Sequence, residues 1–202
     1  MHGPTGRASW PPRARSSGGS PTPLWRSWRA PPLVRRTLFG HFPGRAALLE
    51  ALAEEAAEAL RAAAAAGVKA ADPAERALAR FSMSMWPVGD RYRMLLALAQ
   101  RDLGMERVTK ILEPARVKVT AILDRGQRDG VFHSHLPPAV MGAGLEGMTV
   151  ALLEEVNTGA LEDDGTRTAV ATLIAAGVPE KQARLVVDDV AAAIAAEAIA
   201  DS

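Results

Sequence analysis

Met83, Trp86, Arg91, Tyr92, Met94, Arg116, Phe132, Met141 and Met148 are the residues of this chain whose types suit recognition of a small molecule. Methionine follows irregular apolar shapes, and an arginine or a tyrosine hydroxyl can orient a ligand in an apolar pocket. Taken one at a time, each serves equally well as filler in a helical core. His133 and His135 suggest a metal by type alone. The chain holds four histidines and no cysteine, and nearby acids show no set ligand spacing, so the pair reads as exposed turn residues. No G-x-S-x-G, Walker A or Glu-x-x-His pattern occurs. Asp90-Arg91-Tyr92 and Asp124-Arg125 read as caps and surface ion pairs rather than catalytic groups. Neither an enzyme, nor a cofactor, nor a metal is expected.

The elements that must position these residues are helices. Over 45–66, Leu48, Leu49, Leu52, Ala56, Ala59 and Leu60 share one face, with Glu50, Glu54, Glu55 and Glu58 largely outside it. Asp72-Pro73-Ala74-Glu75 reads as a helix start, with an acidic N-cap, a proline at the first position and a capping-box glutamate. That helix presents Leu78, Phe81 and Met85 and is expected to stop near Trp86-Pro87. Another is expected from about Asp90 to Leu103. Residues 106–129 form a stripe of Val108, Ile111, Leu112, Ala115, Val119, Ile122 and Leu123, which Pro114 should kink or divide. The chain then predicts helices over 138–157, 166–176 and 179–200, with a loop at 157–165.

Gly142, Gly144 and Gly147 weaken the helix over 138–157, by about 1 kcal/mol each relative to alanine. Close approach of another backbone would account for them. A two-fold dimer through a four-helix arrangement is therefore expected, with Gly142, Leu145, Met148, Leu152, Val186, Val190 and Ile194 at the interface.

The 202 residues carry a net charge of +1 that conceals an asymmetry. Residues 1–36 hold seven arginines and no acid, and the rest of the chain holds 17 bases against 23 acids. The same 36 residues contain seven prolines, four glycines and five serines without helical or strand periodicity. This composition predicts disorder, although Trp10, Trp25 and Trp28 are unusual there. No apolar run is long enough for a signal sequence or a membrane span, so no membrane partner and a cytoplasmic location are expected.

Thr37-Leu38-Phe39-Gly40-His41-Phe42, followed by Pro43-Gly44-Arg45-Ala46-Ala47-Leu48-Leu49, resembles the end of the helix-turn-helix in tetracycline-repressor (TetR) family regulators. Arg125-Gly126-Gln127-Arg128-Asp129-Gly130-Val131-Phe132, leading to Leu136-Pro137-Pro138, resembles the junction ahead of the first dimerisation helix in the same family. The resemblance implies that Arg35, Arg36, Thr37, Phe39, His41 and Arg45 belong to the DNA-binding surface. It also implies that the methionine- and aromatic-rich set forms an effector pocket for a small apolar or aromatic molecule. The sequence departs from the pattern at Phe39, which replaces a tyrosine, and at Pro31-Pro32, where a turn glycine is usual. The segment preceding the motif cannot form the two supporting helices, so specific DNA affinity should be weak or lost.

The expectation is thus an all-α chain with a disordered basic arm at 1–32 and a remnant of the recognition helix at 33–43. A TetR-like effector-binding and dimerisation domain follows at 44–202. The implied function is a ligand-responsive transcriptional regulator, by expectation a repressor, with an impaired DNA-binding head. The alternative is a stand-alone homodimeric ligand-binding or interaction protein.

Overall fold

The computed structural model describes residues 44–66, 69, 71–93, 95 and 104–200. Among them every regular element is helical: α1 (Arg45–Ala66), α2 (Ala74–Arg91), α3 (Met105–Arg128), α4 (Pro138–Thr158), α5 (Thr166–Ala175) and α6 (Glu180–Ala200). The segments expected as an arm at 1–32 and a recognition-helix remnant at 33–43 lie outside the described residues. So does most of the helix expected over 90–103. No described helix is long and apolar enough to cross a membrane.

α2 is the central element and packs against all five others. Ala77, Leu78, Ala79 and Phe81 are buried in its middle, and the small alanines let neighbouring helices approach closely. α5 lies against α2 through Ala169 and Leu173, and α6 follows through Ala183, Val187 and Val190, one residue per turn on one face. On the other side, α1 and α3 pack together and α3 continues into contact with α4.

One proline behaves differently from expectation. Pro87 does not end α2, which runs on to Arg91. Pro87 is exposed, and the packing on either side of it holds the helix. Trp86 is buried against Gly165, and Gly89 meets Leu153 of α4. Pro114 lies inside an undivided α3. In α2 these tertiary contacts outweigh the lost backbone hydrogen bond.

The start of α2 also departs from the expected capping box. Pro73 occupies the N-cap position and no side chain caps the helix. Asp72 instead faces Arg76 and Arg80, each at 3.6 Å, and its carbonyl accepts a hydrogen bond from Arg125 of α3 at 2.9 Å. Arg80 is only 4% exposed. Its charge is compensated by Glu197 of α6 at 2.9 Å, and Glu197 also binds Lys69 at 2.5 Å. Arg76 pairs with Asp189 of α6. Ion pairs thus tie both ends of this stretch of α6 to the first turns of α2, and a buried guanidinium needs such partners.

α5 is capped by acids from the preceding loop. Asp163 accepts hydrogen bonds from the backbone N–H of Gly165, Arg167 and Thr168 and from the Thr168 hydroxyl. Asp164 accepts from the backbone N–H and hydroxyl of Thr166, and the hydroxyl bond does most to hold its carboxyl below the ordinary range. Two carboxylates at a helix N-terminus satisfy donors that would otherwise have no partner.

Candidate ligand-binding site

A cavity of about 170 Å³ lies between α1, α2, α3 and α4, with Thr172 of α5 on its wall. Its lining is mainly aliphatic and aromatic. Ala56 and Leu60 come from α1, Leu78, Phe81, Met85 and Val88 from α2, Val108, Ile111, Leu112, Ala115 and Val119 from α3, and Leu145 and Leu153 from α4. The void follows from small residues at facing positions. Ala56, Gly89, Ala115 and Gly142 put short or absent side chains where larger ones would have met.

Polar groups on the wall are few and mostly committed. Arg116 of α3 and Glu146 of α4 form a two-pronged pair: Nε donates to Oε2 and Nη2 to Oε1, each at 2.7 Å. This pairing raises the Arg116 pKa from its ordinary value despite partial burial. The Tyr92 hydroxyl donates to Glu55 at 2.7 Å, and Arg91 donates to the same carboxylate oxygen at 2.6 Å. Burial, chiefly, and the bond to Glu55 push the Tyr92 phenol pKa upward. Thr149 and Thr172 bond back to carbonyls of their own helices.

An outer groove of about 530 Å³ runs along α3 and α4. It shares Arg116, Val119 and Gly142 with the apolar cavity, so these three residues form the partition between them.

Of the nine residues expected to bind a ligand, Tyr92 and Arg116 line the cavity. Trp86 is buried against the loop before α5, and Phe132 against Gly126. Met141 is buried in the main core, while Met83 and Met148 are half-buried against it. Arg91 reaches the site only through Glu55 and lies over the Tyr92 ring, 5.2 Å from its centre. The Met94 side chain lies outside the described residues.

The residues expected at a dimer interface are likewise placed by this chain's own packing. Gly142 and Leu145 are buried and line the cavity, and Val190 is fully buried in the core. Met148, Val186 and Ile194 pack against that core, and Leu152 is half-buried. Among the described residues, only Gly142 of the three helix glycines meets another helix, with Val119 3.4 Å from where its Cβ would be. No described residue lies within 4 Å of where a Cβ on Gly144 or Gly147 would be. Of the residues expected to meet DNA, Arg35, Arg36, Thr37, Phe39 and His41 lie outside the described residues. Arg45 is the exposed first residue of α1.

Residue chemistry did not point to Glu146, Ser82 or the small residues that open the cavity. Arg116 and Glu146 are thirty positions apart on different helices, and only the packing of α3 on α4 brings them together. The legible signal was alanine within an apolar stripe. Ala56 and Ala115 both stand among leucines, isoleucines and valines, and each marks a shortened wall.

His133 and His135 stack with ring centres 3.9 Å apart. His133 Nε2 is 2.8 Å from the Ala175 carbonyl, which can only accept, so this nitrogen carries the proton. Among the described residues no group of three or more potential ligands could hold a metal. Comparison with known proteins leaves the assignment to this geometry: no family model matches the chain, and no curated protein or solved structure is similar to it.

Proposed function

We propose that this chain is a TetR-like, ligand-responsive transcriptional regulator, a repressor by type, whose DNA-binding head is impaired. The observation that carries the reading is the apolar cavity lined by four helices, since such a cavity with few polar groups is the usual form of a small-molecule site. The two sequence resemblances around Thr37–Leu49 and Arg125–Pro138 add the regulatory role. A small apolar or aromatic effector occupies the cavity, and a homodimer forms through faces of α4 and α6 turned away from the core. Val140 and Leu185 are exposed there. DNA affinity is weak, salt-sensitive and without sequence preference, because Pro31-Pro32 replaces the turn that would orient a recognition helix.

Effector binding acts on the regulator by favouring one dimer geometry over another. A second reading, a stand-alone homodimeric ligand-binding or interaction protein, is favoured by the same proline-rich departure. It differs in lacking specific DNA binding.

Mobility-shift titrations with genomic DNA fragments across a salt series, alongside sedimentation of the chain, test the proposal. The expected result is a dimer whose weak DNA binding fades steeply with salt and is alike for scrambled sequences. One fragment bound far more tightly than scrambled DNA at physiological salt would overturn the impaired head. A monomer at micromolar concentration would remove the dimer, and no DNA binding at low salt would select the second reading.

A further inference from the structure

We infer that the cavity takes an uncharged, ring-sized molecule bearing a single hydroxyl or carbonyl, which Ser82 anchors by a hydrogen bond. The inference rests on the proposed small-molecule site and narrows its ligand class. Three observations carry it.

The first is size. At about 170 Å³ the cavity slightly exceeds an engineered void of roughly 150 Å³ that stays dry and admits benzene. One ring with a short substituent therefore fits.

The second is charge. Arg116 and Glu146 are the only ionisable groups with carboxylate or guanidinium charge on the described lining, and they neutralise one another through two bonds of 2.7 Å. A ligand carboxylate would have to draw Arg116 from Glu146, and an ammonium would have to draw Glu146 from Arg116. Glu113 also lies close enough to act on the Arg116 charge, adding to the cost of an anion. A charged head that finds no free counter-charge is excluded from an apolar cavity.

The third is the remaining polar valence. Thr149 and Thr172 donate to carbonyls of their own helices, and Tyr92 donates to Glu55. Ser82 lies on the wall, and its hydroxyl has no hydrogen-bond partner among the described residues. Among the described wall hydroxyls it is the one whose donor is uncommitted; Thr149, Thr172 and Tyr92 can only accept from a ligand.

Four matched probes test this on the full chain: ethylbenzene, 2-phenylethanol, phenylacetate and 2-phenylethylamine, titrated at neutral pH by calorimetry. Shifts of the Val119, Leu145 and Leu153 methyl signals locate binding. The expected result is that 2-phenylethanol binds at least about tenfold more tightly than either charged probe. In Ser82→Ala the alcohol loses about fivefold in affinity while ethylbenzene is unchanged.

Binding of the acid or the amine as tight as the alcohol, with shifts at those methyls, overturns the inference and leaves the small-molecule site standing. An equal loss for alcohol and ethylbenzene in Ser82→Ala overturns the anchoring role. If no probe shifts those methyl signals, the cavity is not the binding site, and both the proposed site and this inference fall.

Discussion

A Cβ on Gly126 would lie 2.1 Å from Cδ2 of Phe132, so the Phe132 ring rests directly on the backbone of α3. The same hypothetical carbon would meet the Ala74 Cβ at 3.0 Å. Gly126 thus allows three elements to converge: the end of α3, the turn after it and the first residue of α2. The neighbours of Gly126 complete the junction. Arg125 binds the Asp72 carbonyl, and Gln127 donates to the carbonyls of His133 and Leu136 at 3.0 and 2.9 Å. The R-G-Q-x-x-G-x-F pattern is therefore the set of fasteners for a helix–turn–helix corner.

Replacing Gly126 with alanine should destabilise the chain by about 1–3 kcal/mol, because the ring must leave its site. Urea unfolding measures this. In the Phe132→Leu background the same substitution should cost clearly less, since the smaller side chain relieves the clash. Strictly additive losses would mean that the two residues do not act as a pair.

Glycines elsewhere should respond with opposite signs. Gly165 has φ of +101°, and its Cβ would meet Trp86 at 2.9 Å, so Gly165→Ala should cost about 1–3 kcal/mol. Gly144 lies within α4 with nothing within 4 Å of the added carbon. Gly144→Ala should therefore raise stability by about 0.5–1 kcal/mol through helix propensity. Unfolding curves at low protein concentration compare the two, and a destabilised Gly144→Ala would contradict the open placement.

The Arg116–Glu146 pair should couple α3 to α4. A double-mutant cycle with Arg116→Gln and Glu146→Gln should return a coupling of about 1 kcal/mol, limited by solvent because both side chains are about one third exposed. The coupling should shrink as salt rises. A value indistinguishable from zero at low salt would remove the pair as a fastener of the cavity wall.

Acid should weaken the α2–α6 contact. Glu197 is held below its ordinary value of 4.5, first by the hydrogen bond from Lys69 and then by that from Arg80. A carboxylate with a depressed folded-state pKa contributes stability that is complete above its unfolded value. That contribution is lost as pH falls through the lower folded value. The urea midpoint should thus decline below about pH 4.5. Glu197→Gln should be less stable than the parent at neutral pH and should approach it in acid. Parallel pH curves for the two proteins would show that Glu197 does not contribute this dependence.

Much of the helical order was written locally. Leucines and alanines at helical spacing placed α1, and Gly130, Gly159 and Gly177 marked the breaks after α3, α4 and α5, so those bounds were legible to within a residue or two. Pro87 misled for a reason of scale. A proline's local cost is a few kcal/mol, and Trp86 on Gly165 with Gly89 on Leu153 supplies compensating packing from distant parts of the chain. Asp72 likewise carried a capping signature locally, but two arginines one and two turns along α2 claimed its carboxylate instead.

By itself the sequence determined that this chain is built of helices, where most of them begin and end, and which faces are apolar, because those properties depend on side chains three or four positions apart. Tertiary structure alone decided which apolar residues became wall and which became core. Met141, Phe132 and Trp86 look as suitable for a pocket as Leu145 does, yet they sit where large groups meet, while Leu145 borders a place where alanines and glycines from four helices leave a gap. A void is a property of facing surfaces, and no single helix encodes it.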